Sequence, residues 1–76
     1  MTRLPTLTGE EVVKALTQAG FVAVRQRGSH VVVPHPDGRS TVVPIHQGEN
    51  LGRGMLSKIL RDTEMRREEF IALLQG

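Results

Sequence analysis

The chain has no cysteine, no tryptophan and no tyrosine, and only two phenylalanines. The lack of thiols excludes a disulfide scaffold, a thiolate zinc site and a cysteine nucleophile together, and makes a cytoplasmic protein the expectation. The two aromatic residues, Phe21 and Phe70, sit in apolar patterns that read as core. No aromatic platform is left on which nucleic-acid bases could stack, so no base preference can be argued. Long hydrophobic runs are missing too: nothing approaches the ~18 apolar residues of a membrane span. The N-terminus lacks the charged and apolar regions of a signal peptide. A soluble chain with no membrane partner is therefore expected.

Size sets a further limit. A chain of 76 residues reads as one domain, 1–76, which buries only about 60% of its unfolded surface. A deep cavity for a large cofactor is not expected, and any site should be shallow. Neither sign of charge dominates: ten basic residues against eight acidic ones give a formal +2. Eight of the ten are arginine, whose planar fork matches phosphate oxygens better than lysine does. This balance permits nucleic-acid binding without requiring it, because a general nucleic-acid coat is usually more basic.

What is present is orderly. Thr8 and Glu11 have capping-box spacing, with Leu7 and Val12 placed as a hydrophobic staple, so a helix is predicted from Thr8 to about Ala19. Gly20-Phe21 reads as its stop, with Phe21 folding back towards Leu16. Three β-prone stretches follow, Phe21 to Arg27, His30 to Pro34 and Ser40 to Ile45, punctuated by Gly28-Ser29 and Pro36-Asp37-Gly38. Such short connections favour an antiparallel meander. Pro44 cannot donate a ladder hydrogen bond, so the third strand is an edge strand or ends its pairing there. Val31-Val32-Val33 is uniformly apolar, and alternation therefore does not say which way His30 points. After a polar loop, Met55, Leu56, Ile59 and Leu60 predict a helix from about Gly54 to Thr63, and Phe70, Leu73 and Leu74 a shorter one from Arg66 to Leu74. The order α-β-β-β-α-α predicts an α+β two-layer fold, a three-stranded antiparallel sheet with helices on one face.

The candidate chemistry lies in Arg25-Gln26-Arg27-Gly28-Ser29-His30. Glycine lets backbone approach a ligand closely, arginine pairs with phosphate oxygens, and an imidazole moves protons near neutral pH. That combination points to RNA, whose 2′-hydroxyl is a built-in nucleophile needing only acid/base help and charge stabilisation. On the bland reading the same residues are a hairpin turn with a half-exposed histidine. One histidine does not readily serve as both base and acid. His35, His46 and Lys58 are the candidates for a second group, and spacing singles out none of them. Arg25, Arg27 and Arg39 are candidates to neutralise phosphate charge, with Gly28, Ser29, His46 and Lys58 as further phosphate contacts. His30, His35 and His46 match no compact metal motif, so no metal is expected. His35, between two prolines, reads most simply as a turn residue.

Taken together, Gly20-Phe21, Arg25 to His30, His35-Pro36-Asp37-Gly38, Val43-Pro44-Ile45-His46, Gly54 to Leu60 and Glu68-Glu69-Phe70 resemble the HicA family of toxin–antitoxin ribonucleases over nearly the whole chain. The resemblance implies a fold like the double-stranded RNA-binding domain and endonucleolytic cleavage of mRNA. It further implies His30 as the catalytic histidine and a HicB antitoxin as the partner that covers the site. One departure is visible: Arg53-Gly54-Met55-Leu56 stands where the family usually has Lys-Gly-Thr-Leu, so a hydroxyl that would cap the helix or touch RNA is absent. Two other classes remain as alternatives, a non-catalytic RNA-binding module of the same fold and a purely protein-binding domain.

Overall fold

The computed structural model describes residues 4–75; positions 1–3 and 76 of the predicted 1–76 domain lie outside the described residues. The chain runs α1 (Gly9–Gln18), β1 (Arg25–Arg27), β2 (His30–Pro34), β3 (Ser40–Pro44), α2 (Arg53–Thr63) and α3 (Arg67–Gln75). The three strands form one antiparallel sheet in the order β1-β2-β3. This is the predicted α+β architecture.

Helix α1 begins where its sequence says it should. The Thr8 hydroxyl accepts the Glu11 N–H at 3.2 Å while the Glu11 carboxylate accepts the Thr8 N–H at 2.9 Å, which satisfies two orphan donors of the first turn. It ends at Gly20-Phe21, where the Phe21 N–H bonds to the Leu16 carbonyl and the Gly20 N–H to that of Thr17. That reversal drives Phe21 under the sheet, where it is 1% exposed.

One face of the sheet makes the core. Val31 and Val33 of β2 and Thr41 and Val43 of β3 are buried, packing with Val12, Leu16, Leu56, Ile59 and Phe70 of the helices. Thr41 and Thr63, buried polar residues, are both satisfied: Thr41 donates to Asp62 at 2.9 Å and Thr63 to the Ile59 carbonyl at 2.8 Å. On the opposite face the alternate positions stay open. His30, Val42 and Ser40 are exposed, and Val32 and Pro34 half-buried. The ambiguity of the Val31-Val32-Val33 run is thereby settled: Val32 faces out, and His30, two residues earlier, faces out with it.

The predicted first strand begins at Phe21, whereas regular pairing starts at Arg25. The intervening residues still bond to β2, through Val22 N–H to Pro34 O and Val24 N–H to Val32 O. Because Arg25 also pairs with Val32, two residues oppose one, the arrangement of a β-bulge. It leaves Val22 and Val24 54% and 61% exposed.

Gly9 shows how closely α1 is seated. A Cβ at this position would overlap the Pro44 carbonyl oxygen and press on the Ile45 side chain. Gly9→Ala gains about 1 kcal/mol of helix propensity at most, yet overpacking against backbone typically costs ~1–3 kcal/mol. The variant is expected to unfold at lower urea concentration than the parent; an unchanged or raised midpoint would show that β3 yields freely here.

Candidate functional site: the open sheet face around His30

The β1–β2 connection is a two-residue hairpin turn. Arg27 pairs with His30 across it, and Gly28 has φ +56 while Ser29 stays on the ordinary side. Glycine first in the turn fits a II′ hairpin, whose twist matches that of the strands it joins. A rigid turn of this kind fixes the start of β2, and so fixes His30.

Cross-strand partners share a face, so the register places Arg27 beside His30. Arg25, two residues back on β1 and opposite Val32, lies on the same face. Both guanidinium groups are exposed, and neither is in an ion pair among the described residues. On the other flank His30 pairs with Pro44. The ladder continues one step further, because the Ile45 N–H bonds to the Ser29 carbonyl in the turn itself. His46, exposed, follows directly. The structure thus gathers Arg25, Arg27, Gly28, Ser29, His30 and His46 at one end of the sheet.

It does not bring Arg39 there. Arg39 lies at the β2–β3 turn, paired with His35 through the His35 N–H to Arg39 O bond. That is five residues along β2, about 17 Å at ~3.3 Å per residue. Its guanidinium is already engaged, by Asp37 at 2.8 Å, by the Thr63 carbonyl at the end of α2 at 2.6 Å, and by the Phe21 ring at 5.0 Å. Arg39 fastens the turn to the last turn of α2, a role its sequence neighbours Pro36-Asp37-Gly38 only hint at. Lys58 is also placed elsewhere. It bonds to Asp62 at 2.8 Å, which in turn accepts from Thr41, so it belongs to the contact between α2 and β3.

His35 is more than a turn residue. Its ring meets Phe21 edge-on at 4.8 Å, Nε2 donates to the Ala19 carbonyl at 3.2 Å, and Nδ1 accepts the Asp37 N–H at 3.0 Å. With both nitrogens engaged at the far turn, it clasps the end of α1 to the sheet. Sequence reasoning also missed the exposed valines Val22, Val24 and Val42; the signal was a β-prone apolar run with no third element to cover it.

Three carboxyl groups are held below their ordinary range. The Arg39 backbone N–H does this for Asp37, the Lys58 ammonium and then the Thr41 hydroxyl for Asp62, and the Arg66 backbone N–H for Glu69. A carboxyl group whose pKa is lower in the folded chain adds stability above its unfolded pKa, and that contribution is lost as pH falls through the folded value. Stability is therefore expected to drop on acidification below about pH 4, with Asp62→Asn flattening part of the fall in a series of urea titrations. An identical acid dependence in Asp62→Asn would remove Asp62 from this account.

Among the described residues no three His, Cys, Asp or Glu side chains gather as a metal site, and no helix is long and apolar enough to cross a membrane. No curated protein matches the chain. A family model described as the HicA toxin of bacterial toxin–antitoxin systems matches residues 9–65. The match runs from the first residue of α1 to just past α2, and so includes the hairpin, His30, His46 and everything that positions them. The chain belongs to the HicA toxin family, and its role is that of a toxin paired with an antitoxin.

Proposed function

We propose that the chain is a metal-independent endoribonuclease that cleaves mRNA in the cytoplasm, with His30 as its catalytic histidine. The observation that carries this reading is the register of the hairpin, which sets Arg27 directly beside His30 and Arg25 one step away on the same open face. A phosphodiester lying across that face meets two guanidinium groups for its charge and one imidazole for proton transfer. The 2′-hydroxyl supplies the nucleophile: it loses its proton, its oxygen bonds to phosphorus, and the bond to the 5′-oxygen breaks as that oxygen gains a proton. The products are a 2′,3′-cyclic phosphate and a 5′-hydroxyl.

The test is cleavage of single-stranded RNA by the purified protein in EDTA, with end-group analysis. Cleavage with cyclic-phosphate ends, and no cutting of DNA of the same sequence, is expected. Metal-dependent cleavage of both polymers would point to water activated by a bound ion, and RNA bound but left whole would favour the non-catalytic module.

Control by a HicB-like antitoxin follows from the same face. A shallow site on a face that also exposes Val42 and, further along the first strand, Val24 and Val22 is suited to a partner that covers the valines with apolar side chains and offers carboxylates to Arg25 and Arg27. Arg39, already paired with Asp37, is not available to it. Association is expected to slow as salt rises, and His30 to lose solvent access in the complex. A complex that still cuts RNA with the Gly28-Ser29-His30 turn open to solvent would rule out inhibition by occlusion.

A further inference from the structure

We infer that His46 is the second proton-transfer group, working as a pair with His30 across the scissile phosphate. The inference rests on the endoribonuclease reading and adds what the sequence alone left open among three candidates.

The sheet register selects it. His30 pairs with Pro44, and the ladder runs on through the Ile45 N–H to Ser29 O bond. Ile45 packs inward against the core, so the alternation that turns Pro44 outward returns His46 to the open face. Carried two residues past the His30–Pro44 pair, that register makes His46 the diagonal neighbour of His30, at the point where the chain leaves the strand and turns through the Glu49 N–H to His46 O bond. Diagonal neighbours on one face stand about 7–8 Å apart at the backbone, and a hydrogen bond to a reacting proton needs about 2.6–3.2 Å from each ring. Two imidazoles so spaced can hold one phosphodiester between them, one at the 2′-oxygen and the other at the 5′-oxygen. The other candidates are excluded by position: His35 has both nitrogens engaged at the opposite turn, and Lys58 is held by Asp62.

The proton balance closes without any further reagent. One imidazole, neutral, takes the 2′-hydroxyl proton as the oxygen–phosphorus bond forms. Its partner, protonated, gives a proton to the 5′-oxygen as that bond breaks. The charged groups facing this end are Arg25 and Arg27 on β1 and, from α1, Glu10 and Lys14, which share a cleft with Gln26 and Ile45; Glu49 follows three residues after His46.

The experiment uses the full chain and a mixed-sequence single-stranded RNA oligonucleotide whose cleavage positions have been mapped, in single turnover at saturating protein. His46→Ala and His46→Arg are both expected to slow cleavage by about 10²–10⁴, the usual range for a positioned acid or base, with unchanged cut sites, circular dichroism and RNA affinity. The arginine variant keeps positive charge, so a rate within about threefold of the parent in His46→Arg would make the residue a charge contact and overturn the inference. The parent's pH–rate profile is expected to be bell-shaped and to lose one limb in His46→Ala; a profile that keeps both limbs overturns it. A 5′-bridging phosphorothiolate at the mapped linkage has a leaving group that needs no proton. It is expected to restore the rate of only one of the variants His30→Ala and His46→Ala, the one lacking the acid. Restoration of both or of neither overturns the pairing. If the parent protein cuts no RNA, the endoribonuclease reading fails first and the pairing falls with it; if His30→Ala loses cleavage while His46→Ala does not, that reading stands and the pairing alone is wrong.

Discussion

His30→Ala is expected to abolish RNA cleavage, and the growth arrest it would cause, while the protein stays folded. The residue is the first of β2, exposed on the open face, with the twelve-residue core on the other side of the sheet. No side-chain hydrogen bond to it is found among the described residues, so its removal breaks no network and opens no cavity of the kind that makes buried truncations costly. Loss of one positioned acid or base lowers a rate by about 10²–10⁴, and growth arrest is expected to be lost with it. The stability change should stay within about 0.5 kcal/mol, as for surface substitutions generally. Cleavage assays and urea titrations on the same preparation read both effects. Full cleavage by a folded His30→Ala protein would end the assignment. Arg27→Ala, by contrast, should weaken charge stabilisation without removing proton transfer, and so should slow cleavage less than His30→Ala does.

Local signals in this chain were legible wherever short-range chemistry decides the outcome. The Thr8–Glu11 box, the Gly20-Phe21 stop and the two turns each satisfy backbone groups with residues a few positions away, so the sequence carried them to within a residue or two. The second strand was read as His30 to Pro34 for the same reason. What could not be read was decided by contacts between distant elements. The direction of His30 depended on which of three consecutive valines the helices cover. The fate of Arg39 depended on the Thr63 carbonyl, 24 residues away. His35 looked like a turn residue because nothing nearby in sequence reveals that the Ala19 carbonyl, 16 residues away, stands over its ring. His46 became distinguishable from His35 and Lys58 only through register, since a histidine two positions beyond Pro44 acquires meaning once Pro44 is seen to pair with His30. The candidate site therefore mixes a legible half, the hairpin with its two arginines, and a half that depends on where the chain goes after the third strand.

The largest loss of stability is expected at Phe21, far from the chemistry. Its ring is 1% exposed, and the contacts around it join three elements: its own N–H caps the end of α1 on Leu16, the His35 ring meets it from the β2–β3 turn, and the Arg39 guanidinium above it reaches on to the end of α2. Phe21→Ala should cost about 3–5 kcal/mol through lost burial and the cavity left behind. The edge-on contact with His35 and the cation over the ring are each worth about 0.5–1 kcal/mol within that figure. For 76 residues, the usual 0.05–0.15 kcal/mol per residue gives a total of about 4–11 kcal/mol, so this one change removes roughly a quarter of the stability or more and is enough to unfold a protein at the low end of that range. Phe21→Leu, which keeps most of the volume, should cost under about 2 kcal/mol. Because His30 lies at the other end of β2, cleavage per folded molecule should be unchanged in Phe21→Leu even as its melting temperature falls. Urea denaturation of both variants, with activity normalised to the folded fraction, makes the comparison. If Phe21→Ala unfolds within about 1 kcal/mol of the parent, the clasp is not what holds the helices to the sheet. If Phe21→Leu loses activity while folded, the two ends of the sheet are coupled in a way this packing does not account for.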